Sequence, residues 1–218
     1  MSQVTFLGEL RVVDDVVQAF CDLFRSAGPR SVALSGGGTA RACYEELAVR
    51  ARDWSAISVF FGDERIVSVD DPDSNEGMAR RVLLDHVHPA AVHSMVAAGS
   101  DGYDRLVRES PPIDFIHLGL GPDAHTASLF PGSPALAERE RFVVETGDDL
   151  HPHRRLTFTV PAIERGVLVV VTVAGADKRE ALDRVQRGED VPATRIRAQR
   201  VIWLVDEAAA PDAPRTDT

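Results

Sequence analysis

Four short stretches of this 218-residue chain hold residues that could do chemistry. The densest reads I-D-F-I-H-L-G-L-G-P-D-A-H-T-A-S-L-F-P-G over residues 113–132. It opens as an apolar, β-rich run, passes through Gly119 and Gly121, and ends in the polar cluster Asp123, His125, Thr126 and Ser128. Polar groups just past the carboxyl end of a strand lie where open α/β sheets place their ligands. Asp123 and His125 are two apart, so the carboxylate can reach and orient the imidazole. An oriented imidazole, neutral near pH 7, is a suitable general base for activating water. The same pattern also suits a plain strand, a glycine turn and a capped helix carrying a surface histidine.

The second stretch is Ser35, Gly36, Gly37, Gly38 and Thr39, a strand end followed by three glycines and a helix start. Backbone amides at a helix N-terminus form an anion site, and glycine lets phosphate oxygens come close. It is neither a P-loop, for lack of G-K-[ST], nor a dinucleotide fingerprint, since G-x-G-x-x-G fails after Gly38. The third is Asp63-Glu64-Arg65, followed by Ser74-Asn75. Arg65 offers a planar fork for a phosphate or for charge developing on a carbonyl oxygen. An Asp–Arg surface pair on a loop is the plain alternative. The fourth is Lys178, the single lysine in a chain that otherwise uses arginine. A cation at the start of the next helix opposes its dipole, so an anion is the better reason for an ammonium there. Arg195 and Arg197 can close the same pocket.

The elements that must position these groups alternate. Apolar periodicity predicts helices over residues 14–27, 39–51, 75–86, 101–109 and 176–187, and strands over 31–34, 57–61, 92–96, 113–120, 142–146, 156–160, 167–173 and 201–205. Pro161 is expected to stop the strand that precedes it. The alternation argues for an α/β fold with a mostly parallel sheet and helices on both faces. One domain over residues 1–210 is expected, with a disordered tail over 211–218.

A formal net charge of -10 argues against a nucleic-acid partner. Cys21 and Cys43 fall in amphipathic helices and read as buried free thiols rather than a disulfide. No apolar run has the length of a membrane span and no secretory signal is visible, so no membrane partner and a cytoplasmic location are expected. His86, His88 and His93 read as solvent-exposed, His151 and His153 as loop residues, and His117 as a satisfied core residue. None has the spacing of a metal site, so no metal is expected. Asp70, Asp71 and Asp73 read as solvated turn residues.

G-x-G-x-D-x-H-T-A-S-L-F-P-G resembles the signature of the 6-phosphogluconolactonases. The S-G-G-x-T turn, D-E-R followed by S-N, and the G-x-x-K of Gly175 to Lys178 are similar to that family's motifs as well. The resemblance implies a modified Rossmann-like single-domain fold, shared with sugar-phosphate isomerases and deaminases. It implies cytoplasmic hydrolysis of 6-phosphogluconolactone in the oxidative pentose phosphate pathway without cofactor, metal or covalent nucleophile. His125 would be the base, Asp123 its orienting partner, and Asp63 a hydroxyl or histidine contact. Ser35 to Thr39 and Lys178 would bind the phosphate. The family usually has glycine where this chain has Ala124. Should that position need a positive φ, alanine costs very roughly 1 kcal/mol. There are three rivals, one of them a catalytically inactive homologue, for which Ala124 is the only hint in the sequence. An amino-sugar-phosphate isomerase or deaminase would typically carry D-E-Y and an acid after the histidine, where this chain has Arg65 and T-A-S-L-F-P-G-S. A non-catalytic sugar-phosphate-binding regulator would normally carry a basic DNA-binding module.

Overall fold

The computed structural model describes residues 8–50, 53–147 and 152–211. Its first half runs β1 (Glu9–Val13), α1 (Val16–Ala27), β2 (Ser31–Leu34), α2 (Gly38–Val49), β3 (Ser58–Phe61), β4 (Asp63–Arg65), α3 (Asn75–Ala79), α4 (Asp85–Val87), β5 (Ala91–Val92) and α5 (Met95–Glu109). The second half adds β6 (Phe115–Gly119), β7 (Val143–Thr146), β8 (Arg155–Phe158), α6 (Val160–Glu164), β9 (Leu168–Val173), α7 (Arg179–Gln186) and β10 (Arg200–Asp206). Seven strands make one parallel sheet in the order β1-β10-β9-β6-β2-β3-β5. The other three make a small antiparallel sheet, β4-β8-β7.

The central strand β6 shows why the sequence reads as it does. Phe115 and His117 point toward α1 and α2, where they meet Phe20, Phe24 and Tyr44. Alternation sends Ile116 and Leu118 to the opposite face, Ile116 against Gly166 after α6 and Leu118 beside Gly62. All four are buried, so the strand is apolar on both faces, as covered parallel strands are. His117 is the exception, satisfied by Tyr44 and Thr172. Cys21 and Cys43 are buried and free, and burial pushes both thiols up, Cys21 to about 12. No helix among the described residues is long and apolar enough to cross a membrane.

Several boundaries differ from expectation for physical reasons. The edge strand β1 was not expected; its half-exposed pattern gives no apolar run. The strand expected over 92–96 is the two-residue β5, Ala91–Val92, and stops there because Ser94 caps α5 by accepting from the Ala97 amide. Pro161 starts a helix rather than merely ending a strand. Thr159 accepts from the Ala162 amide and proline occupies the first helical turn, where its missing N–H costs nothing. The helix from Asn75 is interrupted by a π-helical turn, Arg80–Leu84. His93 is half-buried against Phe60 rather than exposed, and burial lowers its pKa. His153 Nε2 donates to Asp73 Oδ2 at 2.9 Å. The tail beyond residue 211 and His151 lie outside the described residues.

The strand β4 carries the unexpected junction. Glu64 is 1% exposed and its carboxylate accepts from the amides of Arg65, Asn75 and Glu76 and from the Ser74 hydroxyl. Burial pushes the Glu64 carboxyl up, and the three amides pull it only part of the way back. Those amides open α3, whose N-cap is Ser74. Replacing Glu64 by alanine strands four donors, three of them buried, so the unfolding free energy in urea should fall by about 3 kcal/mol or more. Glu45→Ala, at an exposed helix pair, should change it by less than about 0.5 kcal/mol. Equal effects would show that the junction holds nothing.

Candidate active site

A cavity of about 230 Å³ opens at the carboxyl ends of β2, β3 and β6. On one side lies the turn after β6. The Gly121 amide donates to the His125 carbonyl at 2.9 Å, and the Ala124 amide donates to the Gly121 carbonyl at 3.0 Å. The Thr126 hydroxyl donates to the Gly119 carbonyl at 3.0 Å. This tight turn folds the His125 ring over Gly121. A Cβ at Gly121 would sit 2.2 Å from ring atoms of His125, so only glycine leaves room for the imidazole. Ala124 takes φ +65° and is fully buried, so the strained case is the real one. Its carbonyl accepts from the Ala193 amide at 3.1 Å, which helps hold the unfavourable conformation.

Asp123 Oδ1 lies 2.5 Å from His125 Nδ1 and also accepts from the His125 amide at 3.1 Å. In the neutral imidazole Nδ1 therefore carries the proton and Nε2 is the basic nitrogen. Burial alone would raise the Asp123 carboxyl. The imidazole charge and the two hydrogen bonds outweigh it, and the pKa lies below the usual aspartate value. Phe130 packs against the His125 ring at 4.8 Å, and the Arg155 guanidinium lies 5.4 Å from the centre of the Phe130 ring.

Asp63 and Arg65 line the cavity from β4. Asp63 accepts from the Ser128 hydroxyl at 2.7 Å and from Asn75 Nδ2 at 3.4 Å. Arg65 Nη1 donates to the Asp73 carbonyl at 2.6 Å, so the 70–73 turn holds a guanidinium as well as facing water. Gly36 lets Asn75 in: a Cβ there would stand 2.0 Å from Asn75 Oδ1.

A smaller space of about 120 Å³ adjoins the first beneath the N-terminus of α2. Gly36, Gly37, Gly38 and Thr39 line it, and Lys178 and the first two of these glycines border both spaces. Gly37 takes φ +95° and no side chain caps the helix, so the end is left to backbone amides. Lys178 Nζ lies 3.3 Å from Asp177 Oδ2.

Of the residues expected to form a site, Ser35, the glycine turn, Asp63, Arg65, His125 and Lys178 converge on these two spaces, and Asp123 supports them through His125. Arg195 does not converge. Its guanidinium donates to the Leu136 carbonyl and to Asp190, and it borders neither space. Arg197 donates to the carbonyls of Thr194 and Ile196. Sequence reasoning missed Arg155 and gave Asn75 no role of its own; both line the larger space. Asn75 had a signal in its pairing with Asp-Glu-Arg; Arg155 had none beyond its place at the start of a strand. No cluster of three or more His, Cys, Asp or Glu side chains able to hold a metal exists among the described residues.

The family model for glucosamine-6-phosphate isomerases/6-phosphogluconolactonase matches residues 9–203. The chain belongs to that family. It is 44% identical over 203 residues to the 6-phosphogluconolactonase of Synechocystis sp., covering 84% of each chain. Its fold is similar to the crystal structure of 6-phosphogluconolactonase from Thermotoga maritima, with TM-score 0.81, 25% identity and coverage of 91% of this chain and 99% of that one. A monomeric glucosamine-6-phosphate deaminase shares the fold alone, at TM-score 0.77 and 19% identity over 92% of this chain and 98% of that one. Within this isomerase/lactonase family, then, the fold does not choose the reaction, and the site must.

The depressed Asp123 carboxyl has a thermodynamic consequence. A group whose folded-state pKa lies below its unfolded value adds stability above the unfolded value, near 3.8, and loses it as pH falls through the folded value. Asp123→Asn should therefore melt below the parent at pH 5, and the two melting temperatures should converge as pH falls below about 3. A gap that widens on acidification would contradict the Asp123–His125 pairing.

Proposed function

We propose that this protein hydrolyses 6-phospho-D-glucono-1,5-lactone to 6-phosphogluconate, the lactone-opening step of the oxidative pentose phosphate pathway. The carrying observation is an oriented imidazole, with Asp123 on Nδ1, facing the same cavity as an amide-and-ammonium anion site. The relative in Synechocystis sp. bears the lactonase name over most of both chains, which supports this choice within the family.

The phosphate sits under α2, on the amides of the glycine turn and on Lys178. Binding at that remote end positions the ring ester in the larger space. His125 Nε2 takes a proton from water as the water oxygen bonds to the carbonyl carbon. Arg65 and Arg155, which border only the larger space, stabilise the oxyanion that forms. The tetrahedral intermediate collapses, the bond from carbon to the ring oxygen breaks, and protonated His125 gives its proton to that oxygen. The new carboxylic acid ionises, so each turnover releases one proton. Asp63, held by Ser128 and Asn75, contacts a substrate hydroxyl. The reaction needs no metal and takes place in the cytoplasm.

Activity is read as proton release above the uncatalysed opening of the lactone. His125→Ala should lower kcat by roughly 100- to 10,000-fold without loss of folding. Lys178→Ala should raise KM by about tenfold or more, the loss of a charged phosphate contact. A His125→Ala protein as fast as the parent would remove the base from the mechanism. Ammonia released from glucosamine 6-phosphate, with no lactone turnover, would move the chain to the other branch of the family.

A further inference from the structure

A closed line of buried polar groups runs beneath both spaces. The Ser35 amide donates to the Tyr44 hydroxyl at 2.7 Å. Tyr44 Oη lies 2.8 Å from His117 Nδ1, and His117 Nε2 lies 2.9 Å from Thr172 Oγ1. Tyr44 and His117 are fully buried, and Thr172 is 3% exposed. The two ends of the line differ from its middle: Ser35 borders the larger space and Thr172 the smaller.

Donor accounting gives the line a direction. The Ser35 N–H can only donate, so Tyr44 oxygen accepts there. Tyr44 has one proton to place, and its other partner is His117 Nδ1. If Nδ1 carried a hydrogen, the tyrosine proton would be stranded in a fully buried site, at the cost of an unmade hydrogen bond. Nδ1 is therefore the acceptor. Burial drives the His117 pKa down to about 3, so the ring is neutral and has a single hydrogen, on Nε2. That hydrogen goes to Thr172 Oγ1. The threonine hydroxyl has thus received a donor, and its own proton is left to point elsewhere.

The place it can point is the smaller space. Thr172 pairs with Gly119 on β6, and a Cβ at Gly119 would meet nothing within 4 Å. The neighbouring strand thus leaves the approach to Thr172 uncovered. Gly37, Gly38, Thr39 and Lys178 line the same space.

We infer that Thr172 is an anion-binding residue, its hydroxyl fixed as a donor to the substrate phosphate by the directed chain from Ser35 through Tyr44 and His117. The assignment of a phosphate to this space rests on the function proposed above.

Calorimetric titration with 6-phosphogluconate and, separately, with inorganic phosphate tests it. Thr172→Val keeps the shape and removes the hydroxyl; Thr172→Ser restores it. Thr172→Val should weaken both ligands about tenfold, and Thr172→Ser should bind within about threefold of the parent. Nitrogen-15 NMR of the unsubstituted protein should show His117 protonated on Nε2. Equal binding by Thr172→Val and parent, or a His117 protonated on Nδ1, overturns the inference, and the NMR arm requires no variant to fold. Threonine-dependent binding of inorganic phosphate without any binding of 6-phosphogluconate would keep this inference and overturn the proposed function.

Discussion

Three consecutive side chains of β4 hold the site together. Asp63 accepts from Ser128 and so ties the loop after β6 to the small sheet. Glu64 gathers the amides that open α3. Arg65 reaches the Asp73 carbonyl and fixes the turn between them. Asp63 and Arg65 leave the strand toward the cavity, and Glu64 between them leaves on the opposite face, toward the start of α3. The position of His125 therefore depends on a segment that is distant from it in sequence. The loop carrying the base has one anchor on its own strand, through Thr126 and Gly119, and a second across the molecule, through Ser128 and Asp63.

This division explains what could be read from the sequence. Long apolar runs announce themselves, and β2, β6, β9 and β10 fall close to where periodicity places them. The strand β4 could not be found that way. It is three residues long, it is wholly polar, and it exists because β8 pairs with it. Arg155 was invisible for the same reason: its importance comes from the register that sets it opposite Arg65, not from its neighbours in the chain. Arg195 is the opposite case. It stands at a plausible distance along the chain from Lys178, but sequence gives no direction, and its side chain turns to Leu136 and Asp190. The Asp123–His125 spacing, the glycine turn and Lys178 were legible because each is a local pattern whose chemistry does not depend on what lies across the fold.

The acidic balance of the chain makes its few inward cations meaningful. At a formal net charge of -10 the general field repels an anionic substrate. Many arginines are held in pairs with carboxylates away from the cavity, as on α1 and α2. Around the cavity Arg65, Arg155 and Lys178 face one opening, and the dipole of α2 adds to them. Selectivity for a ligand with one strongly charged end follows from concentrating positive potential at a single mouth on a negative body.

The sheet also imposes an order on its own assembly. The strand β1 lies next to β10, with Leu10 opposite Trp203, so β1 must wait for a strand made much later. During ribosomal synthesis the pairs β2–β3 and β2–β6 can form from nascent chain already outside the exit tunnel. The β1 edge cannot close until β10 has left the tunnel. Until then β9 has nothing on its outer side, and its run of valines is open to intermolecular pairing. The rate at which the carboxyl-terminal strand arrives thus sets how long the nascent enzyme is vulnerable to aggregation.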